Sequence, residues 1–154
     1  MNAQTLTTIA RNAALFTARS TLATVFAFHG SQKLLGWFGG GGIDGTAAYF
    51  AGLGVPLPEL HALLVASFEL AGAAALLSGI GMRIALLPLA VTMLVAAVLG
   101  HDGFDVQRNG MEYPLVLATV LPALAAVGPG EWTLARLRPA LPRPRSSAGA
   151  EGRA

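Results

Sequence analysis

The chain has 154 residues, of which 54% are hydrophobic and only 12% are charged, with a formal charge of +2 and no cysteine. Soluble domains carry roughly a quarter of their residues as charged side chains, so this composition argues against a soluble globule and predicts an integral membrane protein. The absence of cysteine excludes disulfides and thiolate metal sites, and the basic residues do not form the helical stripe that a nucleic-acid partner requires.

Four apolar segments are candidates for membrane crossing, for which a helix needs about 20 residues. They lie at about 13–35, 60–77, 84–99 and 113–127, and the last two need their flanks to complete a crossing. The sequence therefore predicts an all-α integral membrane four-helix bundle that occupies residues 1–138.

The connections between these segments differ in character. Residues 36–58 are rich in glycine, and Asp44 or Thr46 is a candidate cap for a short helix that ends near Phe50. Residues 100–112 form a polar loop. The tail 139–154 is rich in proline and arginine, which predicts a disordered cytoplasmic segment.

The basic residues predict the orientation of the chain. Four crossings bring both termini to one side, and that side holds most of the arginines, whereas the other side holds only Lys33 and Arg108. Because cytoplasmic loops carry the excess of basic residues, both termini are expected in the cytoplasm. The basic residues of that side are Arg11, Arg83, Arg136, Arg138, Arg143, Arg145 and Arg153.

Two ionisable residues, Arg19 and Glu69, interrupt the first two apolar segments. An unpaired charge at mid-bilayer costs at least about 2.5–3.5 kcal/mol, and counting back from the outer helix ends puts both residues at similar depth. We therefore expect them to form an intramembrane pair or to share a polar cavity. Two interpretations stay open: Glu69 handles protons or binds a ligand, or the pair is structural and fixes the helix register.

A second group of polar residues gathers where the segments meet the outer surface. Such a cluster suits the head group of a quinone, with proton exchange by His and Glu, or a metal held by His and carboxylate, although membrane interfaces collect polar residues in any case. We treat Glu59, His61 and Asp102 in this last way and predict no metal site. Haem is not expected, because the three histidines lie near one surface and no cysteine attachment motif exists. The candidate residues are His29, Gln32, Lys33, His101 and Glu112.

Several motifs in order resemble one known family, the DoxX proteins of bacterial membranes. They are FAFHGSQKLLGWFGGGGIDGTAAYF at 26–50, GLGVPLPEL at 52–60, FELAGAAALLSGIG at 68–81, MEYPLVLA at 111–118 and GPGEWTL at 128–134. The resemblance implies a multi-pass bacterial inner-membrane protein with four helices. It carries over the motif positions Arg19, His29, Gly30, Gln32, Lys33, Gly45, Glu69 and Glu112.

The resemblance is less specific about activity. The family takes its name from a subunit of a thiosulfate:quinone oxidoreductase, so the first hypothesis is an accessory subunit of a membrane redox complex that contacts quinone. Any enzymatic activity would then be that of an oxidoreductase subunit acting with partners. The alternatives are a membrane chaperone or assembly factor without ligand chemistry, and a small transporter. Expected partners are the lipid bilayer and either another protein or further copies of this chain.

Overall fold

The computed structural model describes residues 2–137, which form five α-helices, three short 3-10 helices and no β-strand. The 3-10 helices are Trp37–Gly39, Val106–Arg108 and Leu134–Leu137. The all-helical class is therefore confirmed, while the tail 139–154 lies outside the described residues. The α-helices are α1 (Ala3–Leu35), α2 (Gly42–Gly52), α3 (Pro58–Ser78), α4 (Met82–Leu99) and α5 (Glu112–Val127).

The first helix is longer than its apolar segment. It begins at Ala3 because the Asn2 side chain caps it, accepting a hydrogen bond of 2.9 Å from the backbone N–H of Thr5. It ends at Leu35 because Gly36 adopts the left-handed conformation, with φ of 69°. The helix therefore has ten residues before the predicted start at residue 13. Hydropathy did not predict them, because this part of the helix is not an apolar run.

The glycine-rich connection contains α2, the short helix that the sequence predicted there. The predicted capping was wrong, because α2 begins at Gly42 and no side chain caps its first turn. The Thr46 hydroxyl instead donates to the Gly42 carbonyl at 2.7 Å, inside the helix. α2 packs against α1 and α3, so this part of the connection is an ordered helix and not a loose loop.

Helix packing follows two main pairs, α1 with α3 and α4 with α5. Small side chains on α3 allow neighbouring helices to approach closely, as in other membrane helix contacts. At Gly72, an added Cβ would lie 2.6 Å from a Leu89 methyl carbon of α4. The core around these contacts is built from Phe26, Leu76, Met82, Leu86, Leu89 and Leu121, together with Ala23 and Ala73.

Successive long helices run antiparallel, which gives the molecule two distinct ends. The turn end carries the tight connection at 79–81 and the segment 128–133, and the loop end carries the connections 36–57 and 100–111. Gly30 near the end of α1 faces Glu69 and Leu70, while Arg19 contacts Gly79 beyond the end of α3. These contacts fix the register of α1 on α3.

An exposed apolar face runs along the whole of α4. Its side chains recur every three or four residues, so they cover one side of the helix, and an apolar surface of this extent is typical of contact with lipid. By length and composition, α3 and α4 are able to cross a membrane, and α5 is apolar but shorter. Crossing by four helices and the cytoplasmic position of the termini stay predictions. The exposed residues of the α4 face are Ile84, Leu87, Val91, Leu94 and Val98.

Candidate functional site

A buried ion pair joins α1 to α3 near the loop end. Lys33 Nζ lies 2.9 Å from both Oε1 and Oε2 of Glu69. The Glu69 side chain is only 2% exposed, whereas that of Lys33 is 27% exposed. A lysine ammonium has three N–H donors, so one donor remains after both carboxylate oxygens are bound.

Close approach of the two helices positions this pair. A Cβ added at Gly30 would lie 3.1 Å from the Glu69 Cβ and 2.9 Å from the Leu70 side chain. Any larger residue would crowd α3 at this point of α1, and Lys33 lies three residues further along α1. Residues three apart share a helix face. Lys33 therefore lies on the side of α1 where Gly30 allows Glu69 to approach.

The predicted pairing of Arg19 with Glu69 was wrong. Arg19 is completely buried, but its guanidinium donates to the backbone carbonyls of Pro129 at 2.6 Å and Trp132 at 2.7 Å. Its Nε atom has no hydrogen-bond partner within residues 2–137. Arg19 therefore anchors the segment after α5 and takes no part in the Glu69 site.

The register of α1 on α3 explains this difference. Glu69 faces Gly30, which lies eleven residues beyond Arg19 in the same helix, or about 16 Å of helical rise. Arg19 instead lies beside Gly79, at the opposite end of α3. The two charged residues consequently lie at different levels along the helices, and each has a different partner.

A large cavity of about 630 Å³ opens beside the ion pair. All five helices contribute to its walls, which are mostly apolar. α3 and α4 are in contact at Gly72 and Leu89. Closer to the loop end, residues of both helices line the cavity. Several lining side chains are also exposed on the outer surface, including Leu64, Val91 and Val95. The cavity therefore reaches the surface between α3 and α4.

Three residues of the predicted outer-surface cluster line this cavity together with Glu69, namely His29, Lys33 and His101. His61, which was interpreted above only as an interfacial residue, lines it as well. The ring nitrogen Nδ1 of His101 lies 2.8 Å from the Ala96 carbonyl, and that of His61 lies 3.2 Å from the Leu57 carbonyl. Since a carbonyl only accepts, Nδ1 carries the proton in both rings, and Nε2 is an acceptor when the ring is neutral.

Two other members of the cluster, Gln32 and Glu112, lie outside the cavity wall and hold loops. The Gln32 amide donates to the Phe38 carbonyl at 3.4 Å, and its Oε1 lies 3.1 Å from His29 Nδ1. Glu112 accepts a hydrogen bond of 3.1 Å from the Val106 backbone N–H. These side chains shape the connections at the loop end.

Two polar residues of the cavity wall were not predicted as part of the site, Tyr49 on α2 and Thr92 on α4. Tyr113, at the start of the fourth apolar segment, lines the cavity as well. The Tyr49 hydroxyl donates to the Gly100 carbonyl at 3.1 Å and so ties α2 to the end of α4. Its position seven residues into a helix that closes over the cavity is a tertiary property, and no local pattern signals it.

Within residues 2–137, no group of three or more His, Cys, Asp or Glu side chains is arranged to hold a metal ion. The arrangement instead offers an ammonium donor, a buried carboxylate and three imidazoles around an apolar space. This is the chemistry of a site for a largely apolar ligand with a polar head.

Comparisons with known proteins point to one family. The sequence model of the DoxX family matches residues 14–102. Over 138 aligned residues, the chain is 30% identical to "Inner membrane protein YphA" of Escherichia coli (strain K12), and the alignment covers 82% of this chain and 91% of that protein. No solved structure matches the chain.

Proposed function

The chain belongs to the DoxX family of membrane proteins, and from this premise we propose that it is an accessory subunit of a membrane redox complex that binds a quinone head group. The observation that carries the proposal is the apolar cavity with the Lys33–Glu69 ion pair in its wall. A partner subunit would supply electrons, because this chain contains no cysteine for a thiol or cluster redox centre.

The polar groups of the cavity suit both redox forms of a quinone. The carbonyl oxygens of the oxidised ring accept hydrogen bonds, and the third N–H of Lys33 is available to donate one. The hydroxyl groups of the reduced ring donate, and neutral His61 and His101 offer Nε2 acceptors. Glu69 holds the Lys33 ammonium in the cavity wall through its two carboxylate oxygens.

The apolar part of the cavity suits the remainder of the ligand. Its volume of about 630 Å³ lies within the range of roughly 300–1,000 Å³ that is usual for small-molecule sites. The gap between α3 and α4 opens on a surface of exposed valine and leucine side chains. An isoprenoid tail would leave the cavity through this gap and enter lipid directly.

We also propose that α1, α3, α4 and α5 cross the bilayer with both termini in the cytoplasm. The turn end carries Arg11, Arg83 and Arg136. At the loop end, Lys33 is paired with Glu69, and Arg108 lies 3.8 Å from Asp105. The positive-inside tendency therefore favours a cytoplasmic turn end and places the cavity near the outer leaflet.

Co-purification tests the proposal. The full chain is extracted from membranes with an amphipathic polymer that retains native lipid, and its quinone content is measured by chromatography with mass detection. Glu69→Gln removes the carboxylate that holds Lys33, so we expect at least a several-fold loss of bound quinone. Glu59→Gln is the matched control, because Glu59 lies on the same helix but outside the cavity wall.

Quinone retained by the wild type and by Glu59→Gln, and lost from Glu69→Gln, would support the site. If the wild type retains no quinone above the level of an unrelated membrane protein, although circular dichroism shows normal helix content, the proposal is overturned. Equal quinone retention in all three proteins would exclude the cavity as the binding site.

One observation favours assembly as a second candidate function. Trp37 and Phe38 are exposed at the loop end, with 57% and 63% of their surface accessible, and Phe38 stacks on Phe28 at 4.9 Å. A rigid aromatic surface of this kind suits contact with a protein partner. An assembly factor would retain a stable partner through this surface and no small molecule, and Trp37→Ala would release the partner.

A further inference from the structure

A second cavity, of about 290 Å³, lies at the turn end, far from the Lys33–Glu69 pair. The start of α1, the start of α4 and the segment after α5 form its walls. Its lining contains three arginines, Arg11, Arg83 and Arg136, and a single carboxylate, Glu131. Two positive charges are therefore in excess around a small space.

Glu131 is already engaged by other groups of the wall. Its Oε2 accepts a hydrogen bond of 3.2 Å from the Asn12 amide, and its Oε1 lies 3.5 Å from Arg136 Nη2. The Glu131 backbone N–H also donates to Asn12 Oδ1 at 3.1 Å. Within residues 2–137, Glu131 thus balances Arg136, and no other carboxylate lines the cavity beside Arg11 and Arg83.

The wall that carries these groups is held firmly in place. Arg19 binds the carbonyls of Pro129 and Trp132 from the interior. The Arg83 guanidinium lies directly on Gly128, where an added Cβ would come within 2.9 Å of Nη2. Gly128 has φ of 83°, a conformation that glycine adopts without strain. The backbone of this wall is therefore anchored, and the side chains of Arg11, Arg83 and Arg136 around the cavity are exposed.

From this geometry we propose that the turn-end cavity binds an anionic phosphate group between Arg11 and Arg83. Guanidinium groups bind phosphate oxygens through paired, charge-assisted hydrogen bonds. Exposed Ile9 and Ile84 lie within two residues of Arg11 and Arg83, so the cavity is at the border of the apolar surface. Basic cavities between membrane helices on the cytoplasmic side bind the head groups of anionic lipids. The phosphate group comes either from such a lipid or from free phosphate.

The test uses the purified full chain with two ligands. In one arm, native mass spectrometry measures retention of phosphatidylglycerol against phosphatidylcholine. In the other arm, the unfolding temperature in detergent is measured with inorganic phosphate against chloride at equal ionic strength. Arg83→Gln and Arg11→Gln each remove one guanidinium, and Arg108→Gln is the control, because Arg108 is an exposed arginine at the loop end.

We expect the wild type and Arg108→Gln to bind the phosphate group, and each cavity variant to bind about ten-fold more weakly or worse, since a hydrogen bond to a charged group is lost. Selective retention of phosphatidylglycerol identifies a lipid head group, and a shift with inorganic phosphate alone identifies free phosphate; both outcomes support the site. Binding that is absent in both arms, or equally weakened by Arg108→Gln, overturns it.

Discussion

Lys33 Nζ lies 2.9 Å from each carboxylate oxygen of Glu69, which joins the last turn of α1 to the middle of α3. The partners differ in burial, because the Glu69 side chain is 2% exposed and that of Lys33 is 27% exposed. This difference determines which of the two is more costly to remove.

Lys33→Met should destabilise the protein more than Glu69→Gln does. Loss of the ammonium leaves a carboxylate buried without compensation, for which about 3–5 kcal/mol is typical, whereas an unpaired Lys33 still reaches solvent. The double variant Lys33→Met/Glu69→Gln should recover most of the loss seen in Lys33→Met alone. The free energies of unfolding in detergent, measured by denaturant titration, check this order, and purely additive losses would contradict it.

Gly30→Ala should lower stability by about 1–3 kcal/mol, because the added Cβ would overlap Leu70 and crowd the Cβ of Glu69. The matched control is Gly45→Ala in α2, where an added Cβ meets nothing within 4 Å. Helix propensity favours alanine over glycine by about 1 kcal/mol, so this control should be neutral or slightly stabilising. Thermal unfolding of both variants tests the prediction, and similar losses in the two would refute a close α1–α3 contact at Gly30.

Arg19→Met should release the segment 128–133 while leaving the Lys33–Glu69 site intact. The substitution removes both hydrogen bonds to the Pro129 and Trp132 carbonyls. Arg19→Lys should rescue only partly, because an ammonium lacks the fork that reaches two carbonyls at once. Hydrogen exchange should rise in peptides that cover 128–137 and stay unchanged around Glu69. If exchange became faster around Glu69 and did not change at 128–137, Arg19 would not be the anchor of the segment 128–133.

Single-cysteine variants test the proposed orientation without interference, because the chain has no cysteine of its own. Gln107→Cys introduces a thiol at the loop end, and Ile80→Cys introduces one at the turn end; both positions are exposed. A membrane-impermeant maleimide applied to intact spheroplasts should label the first variant and not the second. The opposite labelling pattern would place the termini outside.

The sequence predicted the apolar helices well and the contacts of the charged residues poorly. The predicted segments 60–77, 84–99 and 113–127 each lie within α3, α4 and α5 and end within two residues of them, because hydropathy is a local property. The partner of Arg19 was missed, since it is a pair of backbone carbonyls, and a carbonyl has no signature in the sequence. The partner of Glu69 was missed because counting from the outer helix ends assumed that α1 and α3 end at one level, whereas Gly30 near the end of α1 faces Glu69 in the middle of α3.

The same distinction applies to the candidate site. His29, Lys33 and His101 were identified because they lie at or just beyond the outer ends of apolar segments, and all three line the cavity. Tyr49 and Thr92 were not identified, because their place in the wall depends on how the helices pack around the cavity. The cavity is lined by residues of both α3 and α4 on the loop-end side of the Gly72–Leu89 contact, an arrangement that only the packed structure reveals.

Photolabelling with an azido-quinone tests the central claim most directly. The full chain in nanodiscs is irradiated with the probe, with and without an excess of unmodified quinone, and the labelled peptides are mapped by mass spectrometry. Competed label should fall within 25–33, 49–69, 88–101 and 113–117, the segments that line the cavity. Val95→Trp, which puts an indole into the cavity wall, should abolish it. Competed label confined to other segments, or undiminished in Val95→Trp, would contradict quinone binding in this cavity.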